Sequence, residues 1–520
     1  MSAYMTQGLH RAMQQNPDRL ATICGGREQT YRQYGDRVAR LAAALQSLGM
    51  GRGDRVGMMA LNSDRYLEFY FGVWWGGGAV NPVNIRWSPA EVAYSLDDCQ
   101  TRILLVDDQF VGHVAPLREK SKALQTVIYV GDGELPEGML SLQALLDEAE
   151  PVADCRCSGD ELAGVFYTGG TTGFPKGVML SHLNLAANAF TALTEGLTRG
   201  DGRALMVTPM FHIAAAALMN GHAFAGGTFV VLPMFTPAAT LETLQNQKIS
   251  HVLLVPTMIQ MVVDHPGADQ FDLSSVEMVM YGASVISEGV LTRAMKLFSG
   301  SAFAQAYGMT ELAPIATILP ADYHVLDGPK AGKLRSAGRA TTICEVRIVD
   351  LDDCELPRGT VGEVAVRGPG VMIGYWSQPA LTKAAVRDGW MHTGDMGSMD
   401  EDGFVTIVDR LKDMIVSGGE NVYSAEVENA LAAHAAVAAS AVIGIPSEQW
   451  GEAVHAEVVL KAGQTVSERE LIEHCHELIA NYKCPRSISF REAMPVSGAG
   501  KILKTALREP FWAGHDRRVS

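Results

Sequence analysis

Short apolar runs that end at Gly or Pro recur along the middle of the chain. They are Gly164–Gly170, Ala204–Pro209, Gly227–Pro233, His251–Pro256 and Val276–Gly282. Apolar runs of this length without polar alternation are typical of strands that are buried on both faces. A helical pattern follows the first run and starts at Ser181. Strands that alternate with helices predict layered α/β sheets that contain parallel strands.

The pattern changes near Cys344, where the predicted strands are shorter and are separated by turn residues. The segments Cys344–Asp350, Gly362–Gly368 and Gly403–Arg410 predict a small β-barrel-like or meander portion. After Arg410 the order is strand, glycine turn, helix and strand, which indicates a compact α+β unit. We therefore predict a large N-terminal domain of residues 1–410 and a small C-terminal domain of residues 411–520.

One helix of the C-terminal domain can be predicted in more detail. Ser467 and Glu470 have the spacing of a capping box at its first turn. The apolar positions behind them form one helical stripe, which we expect in the core: Leu471, Ile472, Cys475, Leu478 and Ile479. His474 and His476 then lie on the solvated flanks of this stripe.

Composition excludes several classes of protein. The chain has 520 residues, too many for one ordinary domain, and its formal net charge is -16. This charge argues against a nucleic-acid binder, because such proteins bind phosphates through Lys and Arg. The 8 Cys are scattered and do not suggest a disulfide framework. The segments Cys155–Cys157 and His474–His476 lack a second pair at zinc spacing, so a zinc site is disfavoured.

The distribution of apolar residues also bears on localisation. The N-terminus has no apolar signal core. A membrane-spanning helix needs a run of about 18 apolar residues, and the chain has none. We expect a cytoplasmic protein without an integral membrane segment.

A loop rich in Gly, Thr and Lys follows the strand predicted at Leu162–Tyr167. Its glycines let backbone N–H groups point together at an anion. They are Gly169, Gly170, Gly173 and Gly177. Hydroxyl groups and a positive charge come from Thr168, Thr171, Thr172 and Lys176. This chemistry favours a phosphate chain as the ligand, whereas a glycine-rich loop alone is also compatible with a flexible surface turn. Pro175 precedes Lys176, so the loop is not a Walker A motif.

The loop resembles the signature Thr-Ser-Gly-Thr-Thr-Gly-x-Pro-Lys-Gly of the adenylate-forming superfamily. This superfamily includes acyl- and aryl-CoA synthetases, adenylation domains of peptide synthetases and beetle luciferases. Gly169 stands where Ser is commoner, which removes one phosphate-binding hydroxyl. Further segments match in family order: Pro209–Ala216, Tyr281–Val285, Ala306–Glu311, His392–Asp395, Val408–Glu428 and Pro495–Lys504.

The resemblance implies an ATP site. Tyr307 would stack on adenine, beside the backbone of Gly282, Ala283 and Ser284. Gly308, Met309 and Thr310 would complete the nucleotide-binding segment. Glu311 and Thr172 would hold Mg2+ on the phosphates. Asp395 would accept hydrogen bonds from the two ribose hydroxyls, and Arg410 would add a contact to the nucleotide.

The resemblance also implies a reaction in two halves. Lys501 would enter the site and stabilise charge at the α-phosphate during adenylation. The expected catalytic set is Lys501, Thr172, Lys176, Glu311 and His212. In this set His212 is a gate or wall of the acyl pocket rather than a base. Lys412 would be the hinge of a mobile C-terminal domain, which would then present Gly418 and Gly419 beside the pantetheine arm of CoA.

A group of aromatic and cationic residues is expected near the CoA nucleotide. It consists of Trp450, Tyr482 and Arg486, with Lys483 beside them. The resemblance is loose here, and solvated surface residues are the alternative interpretation.

The acid substrate is constrained by one segment. Phe211–Ala214 contains no acidic residue to hold a substrate ammonium, which disfavours an amino acid. Ala214–Ala217 is small and apolar. We predict an ATP-dependent acid–CoA ligase that yields acyl-CoA, AMP and pyrophosphate from a medium- or long-chain fatty acid. An aryl acid or a short thioether acid is the alternative, and a carrier-protein loader or a non-catalytic nucleotide-binding protein is the rival. A homodimer is expected.

Overall fold

The computed structural model describes residues 3–168, 175–284, 286–411, 413–417, 420–447, 449–497 and 501–513. Its α-helices are α1 (Gln7–Gln15), α2 (Tyr31–Ser47), α3 (Asp64–Trp75), α4 (Pro89–Asp98), α5 (Val111–Lys120), α6 (Leu142–Glu148), α7 (His182–Thr194), α8 (Ile213–Ala225), α9 (Pro237–Asn246), α10 (Pro256–Val263), α11 (Glu288–Leu297), α12 (Pro379–Ala385), α13 (Ser424–Ala432), α14 (Glu468–Leu478) and α15 (Lys504–Trp512).

The strands up to the middle of the chain are β1 (Leu20–Cys24), β2 (Arg27–Thr30), β3 (Arg55–Met59), β4 (Ala79–Pro82), β5 (Ile103–Val106), β6 (Thr126–Tyr129), β7 (Leu140–Ser141), β8 (Leu162–Thr168), β9 (Lys176–Ser181), β10 (Arg203–Met206), β11 (Thr228–Val231), β12 (His251–Leu254), β13 (Met278–Gly282) and β14 (Ala302–Gly308). They continue as β15 (Ile315–Leu319), β16 (Arg339–Ala340), β17 (Glu345–Val349), β18 (Gly362–Arg367), β19 (Gly374–Tyr375), β20 (Val386–Arg387), β21 (Trp390–Met399), β22 (Val405–Arg410), β23 (Ile415–Ser417), β24 (Glu420–Val422), β25 (Val437–Ser447), β26 (Gly451–Leu460) and β27 (Ser487–Arg491).

The chain divides into two compact units. The first comprises Met1–Val346 and Val366–Met391, and the second comprises Arg347–Ala365 and His392–Ser520. These units do not coincide with the predicted domains, because strands before Arg410 belong to the second unit. The domain boundary at Arg410 remains a prediction.

Two large sheets form the first unit. One has nine strands in the order β16-β15-β14-β13-β12-β10-β11-β1-β2, and the other has eight in the order β19-β9-β8-β4-β3-β5-β6-β7. The strands from β14 to β1 in the first order are parallel, as are β8, β4, β3, β5, β6 and β7 in the second. The five apolar runs correspond to β8, β10, β11, β12 and β13, so the predicted layered α/β fold is confirmed.

Buried helices lie between the two sheets. Every residue of α3 except Arg65 is buried, and α3 packs against β1 of one sheet and β3 and β4 of the other. Helix α7 packs against β8 and β9, α8 packs against β10 and β11, and the two helices pack together. A helix that is apolar on all sides needs such an interior position. Helices α4 and α5 cover the outer face of the eight-stranded sheet, and α9, α10 and α11 cover that of the nine-stranded sheet.

The second unit contains the smaller sheets. One has the order β17-β18-β21-β20, with β22 paired to β21, and most of its residues lie in this unit. The predicted strands of the meander portion are β17, β18 and β22, and this prediction is confirmed. The strand β21, which carries Asp395, was not predicted, because its Gly and polar residues hide the period of a strand.

The C-terminal sheet has the order β24-β23-β26-β25, with β27 parallel to β26. Alternate residues of β25 serve two cores, since successive side chains of a strand point to opposite faces. Val442 packs with α13 and α14, whereas its neighbours Ala441 and Ile443 pack with Leu507 of α15. This small α+β unit confirms the C-terminal fold predicted from the sequence.

The helix predicted behind Ser467 is α14, and the Ser467 hydroxyl accepts from the Glu470 N–H at 3.2 Å. Leu471 and Cys475 are buried, and Ile472 and Ile479 pack against the same core. The core prediction for Leu478 is wrong, because α14 ends at that residue and its side chain is 53% exposed.

Among the helices of the described residues, none is both long enough and apolar enough to cross a membrane.

Asn188 of α7 holds the connection between β14 and β15. Its Nδ2 donates to the Leu312 carbonyl at 3.1 Å, and the Ile315 N–H donates to its Oδ1 at 3.1 Å. Asn188 is 3% exposed, so these bonds are shielded from water.

We predict that Asn188→Ala lowers the free energy of unfolding by about 2 kcal/mol or more, because buried backbone groups lose their partners. Urea denaturation followed by tryptophan fluorescence measures the change. The control Asn246→Ala, at the exposed end of α9, should stay within about 0.5 kcal/mol of the parent. Equal losses in both variants would show that the Asn188 bonds contribute no special stability.

Candidate active site

The predicted phosphate loop connects two antiparallel strands. Strand β8 ends at Thr168, strand β9 begins at Lys176, and these two residues are direct partners. The loop residues Gly169, Gly170, Thr171, Thr172 and Gly173 lie outside the described residues, and their roles remain predictions. The strands fix where the loop leaves the sheet and where it returns.

Lys176, Tyr375 and Glu311 come together at the start of β9. Lys176 Nζ lies 5.6 Å from the centre of the Tyr375 ring. The Tyr375 hydroxyl donates to Glu311 Oε1 at 2.8 Å, and Glu311 is 6% exposed. Burial raises the pKa of Tyr375, and the charge of Glu311 raises it further, so the phenol stays a donor. The buried Tyr375 side chain therefore has a cation over its ring and a carboxylate at its hydroxyl.

Tyr375 was missed in the sequence. It lies on the two-residue strand β19, which pairs with β9 through Tyr375 and Val178. Two residues are too few to show the alternating pattern of a strand in the sequence. The tyrosine reaches Glu311 only through pairing between distant segments.

The segments predicted to bind adenine lie side by side. Gly282 at the end of β13 is the parallel partner of Ala306, which precedes Tyr307 on β14. A Cβ atom on Gly282 would lie 2.1 Å from the Ala306 carbonyl oxygen, so only glycine permits this approach. Tyr307 is half-buried. Ligands of α/β sheets bind outside the carboxyl ends of parallel strands, and both segments lie at such ends.

The backbone around these strand ends is unusual. Ala283 has φ of 65°, in the left-handed region that non-glycine residues rarely adopt. A Cβ atom on Gly308 would lie 1.7 Å from the Pro314 carbonyl oxygen. The Met309 N–H donates to that same carbonyl at 3.0 Å. Such constrained backbone is concentrated at functional sites.

Glu311 follows directly, in the short 3-10 turn Thr310–Leu312. Both Thr310 and Glu311 are buried. Mg2+ on a nucleotide usually needs only one or two protein carboxylates beside phosphate and water, so a single buried glutamate fits this ion. Within the described ranges, no group of three or more His, Cys, Asp or Glu residues is arranged to hold a metal by protein ligands alone.

His212 caps the buried helix α8. Its Nδ1 accepts from the Ala214 N–H at 3.2 Å, which leaves the ring proton on Nε2. His212 and Ala214 are half-buried, whereas Ala215, Ala216 and Ala217 are buried. A capping role suits the predicted wall of a pocket better than a base.

Asp395 and Arg410 face each other in the second unit. They are partners across β21 and β22, and Arg410 Nε lies 3.3 Å from Asp395 Oδ1. The side chain of Asp395 is 12% exposed and that of Arg410 is 60% exposed. An acceptor and a cation predicted to bind one nucleotide therefore lie next to each other.

Glu363 organises the turn before Asp395, and it was also missed. Its carboxylate accepts from the Gly394 N–H at 3.0 Å and contacts His392 Nδ1 at 2.9 Å. Gly394 has φ of 70°, which favours glycine. The motif His392–Asp395 is thus fixed by a residue of the neighbouring strand β18.

The backbone of Lys501 is bonded to Ser497. Val496 and Ile502 are paired, the Ser497 N–H donates to the Lys501 carbonyl at 2.7 Å, and the Lys501 N–H donates to Ser497 Oγ at 3.1 Å. These bonds fix the backbone of Lys501 just before α15. Lys412, Gly418 and Gly419 lie outside the described residues.

The residues predicted to bind the CoA nucleotide form aromatic and cationic pairs. Arg486 Cζ lies 5.5 Å from the centre of the Trp450 ring, and Lys483 Nζ lies 5.7 Å from that of Tyr482. Trp450 is 37% exposed and Tyr482 is 40% exposed. Gly451, next to Trp450, pairs with Ser417 at the end of β23. Trp450 and Arg486 therefore offer a stacking surface with a positive charge beside the strand that leads to Gly418.

Two family models match this chain. The model described as AMP-binding enzyme matches residues 9–376, and the model described as AMP-binding enzyme C-terminal domain matches residues 426–501.

Three curated relatives extend over nearly the whole chain. A feruloyl-CoA synthase of Amycolatopsis sp is 37% identical over 96% of this chain and 98% of its own length. The fatty acid–[acyl-carrier-protein] ligase ScoC of Streptomyces coeruleorubidus is 36% identical over 98% of this chain and 96% of its own length. The medium/long-chain-fatty-acid–CoA ligase FadD8 of Mycobacterium tuberculosis is 36% identical over 98% of this chain and 90% of its own length.

A solved structure has the same fold. ATP-bound MatB from Rhodopseudomonas palustris superposes with a TM-score of 0.88 and 30% sequence identity, covering 99% of this chain and 100% of MatB. The chain belongs to the AMP-binding enzyme family, in the acid–CoA ligase branch of the adenylate-forming superfamily, and is an AMP-forming ligase.

Proposed function

We propose that this ligase joins an acid with an uncharged tail to CoA, through an acyl-adenylate. A medium- or long-chain fatty acid is the favoured substrate. The contact of Lys176, Tyr375 and Glu311 carries the proposal, because it joins a phosphate-binding cation to a buried carboxylate beside the ends of β13 and β14. Lys176 complements the negative charge of a phosphate chain, and Glu311 complements the positive charge of its Mg2+.

In the first half-reaction an oxygen of the substrate carboxylate attacks the α-phosphorus of ATP. The bond to pyrophosphate breaks, and the acyl-adenylate forms. Tyr307 stacks on the adenine, Asp395 accepts from the ribose hydroxyls, and Lys176 binds the phosphates. Glu311 and Thr172 would hold Mg2+, which neutralises phosphate charge when it is bound.

Lys501 is the proposed catalytic cation of this step. Its ammonium, placed between the substrate carboxylate and the α-phosphate, stabilises the charge that develops in the transition state. The hydrogen bonds between Ser497 and Lys501 hold its backbone, which limits the entropy lost when the side chain is aligned.

In the second half-reaction a thiolate attacks the acyl carbon and AMP leaves. We propose that the C-terminal domain turns about Lys412 between the two steps and presents Gly418 and Gly419 to the pantetheine arm. Trp450, Arg486 and Tyr482 then bind the CoA nucleotide, by stacking and by charge. A cytoplasmic homodimer is part of this proposal.

The acid is proposed from the pocket and from the relatives. Ala214 and its neighbours are small and apolar, and two of the three relatives are named for fatty acids. The third is named for feruloyl-CoA, which keeps an aryl acid as the alternative. A short thioether acid is the remaining alternative from the sequence.

A thiol other than that of CoA is a second candidate for the acceptor. One relative is named as an acyl-carrier-protein ligase, so a carrier-bound pantetheine could replace CoA. The exposed pair of Trp450 and Arg486 favours CoA, because an adenine ring and its phosphates would occupy it.

A screen of AMP release tests the function. Fatty, aryl and short acids are each supplied with ATP and either CoA or a holo carrier protein. The proposal expects AMP release with CoA, fastest for an acid of about eight or more carbons. AMP release only with the carrier protein would show that the carrier protein, and not CoA, is the acceptor. AMP release without any acid would contradict the ligase reaction.

We predict that Lys501→Ala slows acyl-adenylate formation by about a hundredfold or more, since one preorganised charge contact typically contributes that much. Thioester formation from a supplied acyl-adenylate should stay nearly unchanged. Pyrophosphate exchange measures the first step and thioester release measures the second. Equal losses in both steps would contradict the assignment of Lys501 to adenylation.

We predict that Tyr375→Phe raises the Mg2+ concentration needed for half-maximal rate. Without the phenol, buried Glu311 loses a charged hydrogen bond of the kind that contributes about 1.5–3 kcal/mol. Its carboxylate then becomes less well oriented toward the ion. Rates measured over a Mg2+ series at saturating ATP test this, with Tyr94→Phe as a control on α4. An unchanged Mg2+ dependence would remove Tyr375 from the metal-binding arrangement.

We predict that Ala214→Phe shifts the preference toward shorter acids by roughly tenfold or more in kcat/KM, because overpacking a formed pocket commonly costs about 1–3 kcal/mol. Ala214 is chosen because it is half-buried, whereas Ala215 is 1% exposed. The KM for ATP should not change. If the chain-length profile of the variant matches that of the parent, this segment does not border the acyl tail.

A further inference from the structure

A buried polar cluster joins the end of β22 to the helices α13 and α15. Asp409 is 6% exposed and Ser424 is fully buried. The Ser424 hydroxyl donates to Asp409 Oδ1 at 3.0 Å, and the Ser424 N–H donates to the same carboxylate. Ser424 is the first residue of α13, so its N–H has no partner within the helix. Asp409 therefore caps α13 from outside the helix.

Lys504 completes the cluster. Its Nζ lies 2.7 Å from Glu428 Oε1 and also donates to the Ser424 hydroxyl. Glu428 in turn accepts from the Val442 N–H of β25 at 2.7 Å. Burial raises the pKa of Asp409 and of Glu428, and the charge of Lys504 opposes the increase for each. The ammonium thus lies among two carboxylates and one hydroxyl.

A second ion pair lies close to the cluster. Arg508, one turn further along α15, contacts Asp413 at 2.6 Å. The Asp413 carboxylate also adds to the negative charge around Lys504. These five charged groups, with Ser424, are far better partnered than isolated buried charges would be.

The order of these residues along the chain relates the cluster to the proposed hinge. Asp409 precedes Lys412, the proposed hinge, whereas Ser424, Glu428 and Lys504 follow it. Lys504 is also three residues after Lys501, at the start of the helix α15 that follows it. Turning about Lys412 would carry Ser424 and Lys504 away from Asp409. A turn about Lys412 of the kind proposed above would therefore break the two hydrogen bonds of Asp409.

We propose that Asp409 and Ser424, supported by Lys504, form a latch that stabilises one of the two working orientations of the C-terminal domain. They are positioning residues, since they act through the hinge and through Lys501 rather than on the substrate. This inference rests on the proposed two-step function. The buried hydrogen bonds of the latch favour the domain orientation in which they form. Breaking them shifts the population toward the other orientation of the C-terminal domain.

The test is Ser424→Ala, which removes the hydroxyl and leaves every charge in place. Acid-dependent pyrophosphate exchange and thioester formation from a supplied acyl-adenylate are measured separately. Because weakening the latch moves molecules into the other orientation, we expect one half-reaction to accelerate and the other to slow or stay level. The ratio of the two rates should change about tenfold, as loss of a hydrogen bond to a charged group would produce.

The control is Arg491→Gln. The exposed side chain of Arg491 pairs with buried Glu457 at 2.7 Å, and both residues follow Lys412. Breaking this pair destabilises the C-terminal sheet without affecting the hinge, so the ratio of the half-reactions should stay within about twofold. If Ser424→Ala does not fold, Asp409→Asn weakens the same contact from the other side and is measured in its place.

Parallel loss of both half-reactions in the latch variant, or an unchanged ratio, overturns the latch. A parent protein that shows neither half-reaction instead overturns the proposed function, and the latch with it.

Discussion

The close approach of β13 and β14 at their carboxyl ends is the constraint on which this site depends. Gly282 must lack a side chain because the Ala306 carbonyl occupies that space. Gly308 must lack one because the Pro314 carbonyl lies next to it. This close approach fixes the backbone from which Tyr307 and the Thr310–Leu312 turn extend. Glu311 of that turn contacts Tyr375, which pairs with β9. A bulkier residue at either glycine would move Tyr307 and Glu311 together.

The second unit uses a different kind of constraint. Asp395 and Arg410 are held by strand pairing, Glu363 fixes the turn before them, and the Lys501 backbone is bonded to Ser497. In each case backbone or buried carboxylate contacts orient a charged side chain. Preorganised charge of this kind is worth more than charge that must be ordered during the reaction.

Much of this arrangement could be predicted from the sequence, because its signals are local. The buried strands could be predicted from their apolar period, and α14 from Ser467 and the stripe behind it. Tyr375, Glu363 and Asn188 could not be found in this way. Each is a single polar residue outside any repeat, and its role exists only through a contact with a distant segment. Leu478 was misplaced for the opposite reason: it fits the helical period, but the helix ends there.

In the proposed reaction the acid oxygen forms a bond to the α-phosphorus of ATP before any thioester appears. This step is tested most directly with an acid labelled with oxygen-18 in its carboxylate, supplied with ATP and CoA. We predict that one labelled oxygen is found in AMP, by mass spectrometry, for each thioester formed. Label in pyrophosphate or in inorganic phosphate, with unlabelled AMP, would contradict it.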